Sequence, residues 1–205
     1  MTCTEQSFLK DVAKHQMTVL RDDGVNRHVQ FRRPGTICMG FELITWPGYL
    51  CFTGDMGTYV FRRLEDMFEF FRADRDYHRS QGRNLFINLG YWSEKLEAVD
   101  RGEGVKEYSA AKFRERINER LNEEEASVEL RAAVDNEVLF YADDNQHAAM
   151  TAAINFEHDG FRFADFWEVD PTEYTYLFIW CCYALAWGIQ KYDQEREEVN
   201  AEVIG

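Results

Sequence analysis

An uncharged run at residues 174–190 constrains the fold more than any other segment, because 29% of the chain is charged. Seventeen helical residues span about 25 Å, less than the roughly 30 Å hydrocarbon layer of a membrane. The run therefore predicts a buried core helix rather than a membrane span. Asp170 suits the N-cap of a helix, Pro171 its first position and Glu173 its third position. They predict that this helix covers residues 171–192.

Short apolar segments separated by turn residues fill the first third of the chain and predict an antiparallel meander of four or five strands. Asp23-Gly24 predicts a hairpin, and Pro47-Gly48 has the composition of a type II turn. The strands are expected at residues 17–20, 25–31, 37–46, 49–53 and 58–61. We therefore expect one α+β domain over residues 1–205, in which a small antiparallel sheet (1–63) packs against a mainly helical part (64–205).

Capping residues and apolar spacing predict the other helices. Thr4 caps a helix that ends near His15, Ser93 caps one that reaches residue 99, and Ser109 caps a longer one. Further predictions are a helix over 64–72, a loop over 73–83, a helix through Leu130, Val134 and Val138, and a helix that starts at Asp144.

The cysteine pattern and the first residues predict a cytoplasmic protein. None of the five cysteines forms a C-x-x-C pair or a secreted disulfide pattern, so they are expected to be reduced thiols. The first residues also lack the basic and then apolar pattern of a secretion leader.

Negative charge is concentrated in the second half of the chain. The net charge is −14; residues 1–92 carry 12 Lys and Arg against 11 Asp and Glu, whereas residues 93–205 carry 11 against 26. Such a concentration repels nucleic acid and anionic lipid, and it attracts a basic partner. It therefore argues against direct nucleic-acid binding and against a membrane surface.

An acidic helical region is the strongest candidate for a binding surface. On a helix, residues four apart lie roughly 5 to 6 Å from each other, which is comparable with the spacing of phosphates along a nucleic-acid strand. The region predicts a DNA-like row that faces a basic groove of a partner protein. The alternative is a solvated face that only keeps the protein in solution. The candidate partner-binding residues are Glu119, Glu123, Glu124, Glu125, Glu129, Asp143 and Asp144.

A second candidate is a set of basic and aromatic residues on the sheet, of the kind that binds single-stranded nucleic acid. Neighbouring residues of a strand point to opposite faces, so Arg32 and Arg33 cannot share one surface. Most of the aromatic residues are more simply core. The set comprises Arg27, Arg32, Arg33, Arg62 and Arg63 with Phe31, Trp46, Tyr49, Phe52 and Tyr59.

Catalytic and metal-binding patterns are incomplete. The turn at residues 54–57 contains Asp55 but lacks the lysine and the serine or threonine of a phosphate-binding loop. Asp143, Asp144 and His147 have helical metal-ligand spacing without a second ligand motif. Cys51 and His28 would form a thiol and a base if their strands were neighbours, but no third residue would orient them. We assign no catalytic residue, no metal and no cofactor.

Four segments are similar to a family of uncharacterised small accessory proteins encoded by tailed phages and prophages of Gram-negative bacteria. They are LITWPGYLCFTGDMGTYVF (43–61), DMFEFF (66–71), GYWSEKL (90–96) and WCCYALAW (180–187). The resemblance implies a phage accessory protein that acts in the cytoplasm of a bacterial host, and it carries no catalytic residues.

Three functions follow from these observations. The leading one is non-catalytic inhibition of a nucleic-acid-handling defence system, of the CRISPR or restriction type, through the acidic surface. The second is an enzyme acting on a nucleotide or nucleic acid at a pocket around His28, Asp55 and Tyr59. The third is a structural homodimer that buries exposed aromatic residues between its subunits.

Overall fold

The computed structural model of the chain describes residues 2–73, 75–82, 84–102 and 104–204. The chain divides into two compact units. The sheet unit comprises Met1–Val105 and Tyr174–Gly205, and the inserted unit comprises Lys106–Glu173. These bounds differ from the division at residues 63 and 64 that separates the expected strand-rich and helical parts. The expectation of one folded domain stays a prediction.

The sheet unit contains a six-stranded antiparallel sheet in which each strand pairs with the next along the chain. This order confirms the predicted meander and, with the helices that follow, the α+β class. The strands are β1 (Gln16–Asp23), β2 (Asn26–Arg32), β3 (Phe41–Trp46), β4 (Tyr49–Gly54), β5 (Gly57–Arg62) and β6 (Leu96–Val99). The last of them lies well beyond residue 63.

The turns of the sheet show where local signals are accurate. Trp46 pairs with Tyr49 around Pro47-Gly48, and Gly48 has a φ of 84°, as a type II turn requires. In the first hairpin Asp23 pairs with Asn26, so the turn residues are Gly24 and Val25 rather than Asp23 and Gly24.

One face of the sheet packs against the core helix α8 (Tyr176–Ile204). Strand residues alternate between buried and partly exposed positions, as a half-covered sheet requires. The ring of Phe41 lies 5.7 Å from that of Trp180 in an edge-to-face contact. Gly188 allows the helix to lie close to the sheet, since a Cβ atom there would lie 3.1 Å from Leu43 and 3.2 Å from Phe31.

The prediction of a buried core helix is confirmed, but its predicted start at Pro171 is wrong. Residues from Phe178 to Leu185 include six that are fully buried. Strand β8 (Thr172–Tyr174) occupies the predicted first turn and pairs with β7 (Lys106–Tyr108). The hydroxyl of Thr175 accepts a hydrogen bond from the Phe178 N–H at 3.2 Å and so caps α8. No helix in the described part of the chain has the length and apolar character needed to cross a membrane.

The short helices of the sheet unit are α1 (Glu5–Asp11), α2 (Met67–Arg72), α3 (Arg75–Ser80) and α4 (Leu89–Ser93). Thr4 caps α1 as predicted, although the helix ends before His15. Asp66 caps α2. Two predictions are wrong. Helix α3 replaces most of the loop expected at 73–83, of which residues 74 and 83 lie outside the described part. Ser93 ends α4 instead of starting a helix.

The inserted unit has its own core, built from three helices, α5 (Ala110–Glu123), α6 (Val128–Glu137) and α7 (Gln146–Asn155). Ser109 caps α5 as predicted, and its apolar side chains at four-residue steps, Phe113, Ile117 and Leu121, are buried. Asn145, rather than Asp144, caps α7.

Candidate partner-binding surface

The inserted unit carries most of the negative charge of the protein. Its 68 residues include 17 Asp and Glu against 7 Lys and Arg, a net charge of −10 out of −14. The sheet unit accounts for the remaining −4. The excess negative charge found in the second half of the sequence therefore lies mainly in one compact unit.

The connection between α5 and α6 displays a group of carboxylates. The Glu125 N–H donates to the Asn122 carbonyl at 3.2 Å, and the Ala126 N–H donates to the Leu121 carbonyl at 2.9 Å. This pair of bonds is the Schellman motif, which ends a helix at a residue in the left-handed conformation. That residue is Glu125, with a φ of 48°. Glu123, Glu124 and Glu125 are all exposed there.

The first turn of α6 adds Glu129 to this group. The Ser127 hydroxyl caps α6 by accepting from the Leu130 N–H. Hydrogen bonds from the backbone N–H of Glu129 and from the Ser127 hydroxyl lower the pKa of the Glu129 carboxyl. A negative charge is also favourable at a helix N-terminus, so Glu129 is ionised at neutral pH.

Three of the seven predicted binding residues are paired with arginines of their own unit. Glu119 lies 2.7 Å from Arg116, and Glu123 lies 3.7 Å from Arg120. Asp143 accepts two hydrogen bonds from Arg114, at 3.0 and 2.6 Å, which lower the pKa of its carboxyl. The carboxylates of Glu124, Glu125, Glu129 and Asp144 have no Lys or Arg partner among the described residues.

The seven residues do not form one row. Arg114 lies near the start of α5, and helical side chains lean toward the N-terminus, so its partner Asp143 lies near that end. Glu123 lies nine residues further along the same helix, about 14 Å away at 1.5 Å per residue. Asp143 and Asp144 are thus separated from the group at the connection of α5 and α6.

The inserted unit also exposes apolar side chains. Val128, next to Glu129, is 79% exposed, and Phe140 is 71% exposed. Trp167 is 63% exposed. Sequence reasoning assigned Val128 and Phe140 no role, because an isolated apolar residue in a helical segment is indistinguishable from a core position.

The basic and aromatic set of the sheet does not form one surface. Phe31, Phe52 and Tyr59 are buried on the face that meets α8. On the opposite face, Trp46 stacks on Tyr49 at 5.2 Å. The guanidinium of Arg62 lies 5.2 Å from the centre of the Tyr49 ring. Only this small group retains the arrangement that stacking on bases would need.

The residues of the catalytic hypothesis do not converge. His28 contacts Glu42 at 2.6 Å on the face opposite the core, whereas Tyr59 is buried in the core and contacts Phe178. Burial opposes ionisation of Glu42, but hydrogen bonds from His28 and Gln30 hold the pKa of its carboxyl below the usual value. The Asp55 carboxylate accepts the Met39 N–H at 2.8 Å and so supports a loop.

The structure also does not bring together the residues of the thiol and metal hypotheses in the way that either chemistry needs. Strand β3 separates His28 from Cys51, because both pair with Ile44, so their backbones lie about 10 Å apart. Burial raises the pKa of the Cys51 thiol, which makes it a weaker nucleophile. Within the described ranges, no group of three or more His, Cys, Asp or Glu side chains could hold a metal ion.

Comparisons with models of known protein families, with curated proteins and with solved structures found no match. The resemblance to phage accessory proteins and the homodimer therefore stay predictions.

Proposed function

We propose that this chain is a non-catalytic binding protein whose inserted unit recognises a basic protein surface. The charge distribution carries the proposal: 12 of the 17 carboxylates of the inserted unit lie outside ion pairs with Lys or Arg among the described residues. The resulting field attracts a cationic partner and repels nucleic acid, over a distance of about 8 Å at physiological salt.

The apolar residues on the same unit support protein binding over mere solvation. Carboxylates mainly accelerate association, whereas desolvated apolar and aromatic anchors provide most of the binding energy. Val128 lies between the unpaired carboxylates of the α5–α6 connection, and Phe140 precedes Asp143 and Asp144 in sequence. Exposed apolar side chains do not help to keep a protein in solution, so a purely solubilising surface would not explain them.

The class of partner follows from the sign of the charge. Proteins that hold phosphate backbones present basic grooves, which are the natural complement of an acidic helical surface. The partner we propose is a nucleic-acid-handling protein of a bacterial host, and a CRISPR or restriction component is the most concrete case.

The experiment compares two double charge reversals that change the net charge equally. Glu124→Lys with Glu129→Lys alters the inserted unit, and Glu65→Lys with Glu198→Lys alters exposed positions of the sheet unit. Each protein is used to capture partners from bacterial lysate at 50 and 500 mM salt. The wild type and the sheet-unit variant are expected to capture the same basic protein at low salt only.

The inserted-unit variant is expected to lose that capture. Purified partner should bind wild type in competition with duplex DNA, because both would occupy its basic groove. Equal capture by both variants, or binding that DNA does not displace, would refute the proposal.

A further inference from the structure

Four arginines line one cavity of about 530 Å³ in the sheet unit. They come from β2, α2, α3 and α8, so the fold gathers them from distant parts of the chain. They are Arg27, Arg72, Arg75 and Arg196. A cavity of this volume is in the range that small-molecule sites occupy.

Two of these arginines share a single carboxylate. Asp193 accepts from Arg72 Nε at 3.0 Å and Arg72 Nη2 at 2.5 Å, and it also accepts from Arg75 Nη1 at 2.6 Å. Two positive charges therefore face one negative charge. The side chains of Arg72 and Arg75 are only 27% and 24% exposed, so water screens this imbalance poorly.

Arg75 also has a donor without an acceptor. Its Nε atom is buried and has no hydrogen-bond partner among the residues that the structure describes. Each guanidinium has five N–H donors, and Asp193 engages two of those of Arg72 and one of those of Arg75. The site is thus short of acceptors as well as of negative charge.

The other two arginines are already balanced. Arg27 makes a two-pronged contact with Asp66, at 2.8 Å for each bond. Arg196 pairs with Asp22, which also accepts from the Tyr192 hydroxyl at 2.8 Å. Glu197 lines the cavity but is exposed, where water and salt screen its charge. The Asp66 carboxylate also attracts Arg72, so Arg27, Arg72 and Arg75 share the two carboxylates of Asp66 and Asp193, and one positive charge is unbalanced.

We propose that this cavity binds the phosphate group of a small molecule, held by Arg72 and Arg75 beside Asp193. A phosphate supplies both the missing charge and the missing acceptors, and its oxygens match the planar fork of a guanidinium. The remaining volume accommodates the rest of a phosphomonoester of nucleotide size. This site belongs to the sheet unit, and it does not depend on the function proposed for the inserted unit.

The test measures binding of inorganic phosphate, AMP and adenosine by calorimetry and by thermal unfolding. Phosphate and AMP are expected to raise the Tm by about 3 to 6 °C at ten times their Kd, and adenosine is expected to have no effect. Arg75→Gln is expected to weaken AMP binding at least tenfold, because it removes a charged donor pair. Arg101→Gln, an exposed arginine of the same unit that lines neither this cavity nor the aromatic group of the sheet, is the control and should bind as the wild type does.

A second variant separates a ligand site from a purely structural ion-pair network. Asp193→Asn removes the carboxylate that competes for both guanidinium groups, so its Tm without ligand should fall and its increase with phosphate should exceed that of the wild type. The proposal is overturned if neither phosphate nor AMP binds the wild type, if adenosine binds equally well, or if Arg75→Gln binds AMP unchanged.

Discussion

Replacing Glu125 by glycine is expected to stabilise the inserted unit. Glu125 has a φ of 48°, in the left-handed region that costs an L-residue roughly 1 to 2 kcal/mol. Glycine adopts this conformation freely, but it loses about 0.5 to 1 kcal/mol more backbone entropy on folding. The difference is a net gain of about 0.5 to 1 kcal/mol for glycine over alanine at this position.

The same substitution one residue earlier has the opposite sign. Glu124 has a φ of −88°, which any residue adopts, so glycine there brings only its entropic cost of roughly 0.5 to 1 kcal/mol relative to alanine. Comparing glycine with alanine at each position removes the effect of losing the carboxylate, because both variants lose it. The hydrogen bonds of the Schellman motif are made by the backbone and are retained in all four variants.

The measurement is thermal unfolding of the four single variants, followed by far-UV circular dichroism. For a chain of about this length, 1 kcal/mol corresponds to a change of roughly 2 to 4 °C in Tm. Glu125→Gly should therefore melt 1 to 4 °C above Glu125→Ala, whereas Glu124→Gly should melt below Glu124→Ala. Glu125→Ala melting at or above Glu125→Gly would show that the left-handed residue bears no conformational cost.

Two further predictions concern the sheet unit. Gly188→Ala should destabilise the protein by up to about 2 kcal/mol, because the added Cβ would lie 3.1 Å from Leu43 and 3.2 Å from Phe31 and this overpacking outweighs the roughly 1 kcal/mol that alanine gains over glycine inside a helix. Gly90→Ala is the control, since its Cβ would meet nothing closer than 4.0 Å, and equal Tm values for the two variants would contradict the packing argument. Burial opposes ionisation of Asp66, but its hydrogen bonds with Arg27 and the Phe68 N–H hold the pKa of its carboxyl below 3.8. The ionised carboxyl therefore stabilises the folded protein above about pH 4, and this stabilisation is lost as the pH falls through the folded-state pKa. Asp66→Asn should thus lower the free energy of unfolding at pH 7 and make that free energy fall less steeply below pH 4. Urea titrations at several pH values would measure both effects. Acid sensitivity equal to that of the wild type would argue against a stabilising Asp66–Arg27 pair.

Elements that depend on local patterns were predictable from the sequence. The uncharged run of residues 174–190 predicted a buried helix, and residues 176–190 lie in the core helix of the sheet unit. Pro47-Gly48 determines its own turn because proline fixes one φ and glycine permits the next. Ser109 caps α5 because its hydroxyl and the backbone it bonds are three residues apart.

Elements that depend on distant partners were not predictable. Asp170 and Pro171 have the local chemistry of a helix start, but Lys106 holds Asp170 at 2.7 Å and Ser109 donates its N–H to the Pro171 carbonyl at 2.9 Å. These contacts extend the segment into β8 and move the start of α8 to Tyr176. Ser93 fails as a cap for the same reason, because residues 96–99 pair with β5 as a sheet edge. Tertiary hydrogen bonds outweigh local preference in both places.

For the candidate surface too, some properties follow from the local sequence and others depend on distant residues. The total charge of the inserted unit depends only on composition, and no arrangement of ion pairs changes it. Which carboxylates remain available to a partner depends on where the guanidinium groups lie. Two of the internal pairs, Arg116 with Glu119 and Arg120 with Glu123, are three residues apart and could have been inferred from helical spacing. The pairing of Arg114 with Asp143 spans 29 residues and requires the fold.

This distinction decides which residues the binding test should alter. A carboxylate already held by an arginine contributes little to the field that a partner meets, and reversing it would also release that arginine. Its substitution would therefore mix two effects of opposite meaning. Glu124 and Glu129 have no such partner among the described residues, so reversing their charges releases no arginine. In the arginine cavity of the sheet unit, Arg72 and Arg75 are both paired with Asp193, so Arg75→Gln alone would mix the loss of an ion pair with the loss of a ligand contact. The Asp193→Asn variant is needed beside it to separate the two effects.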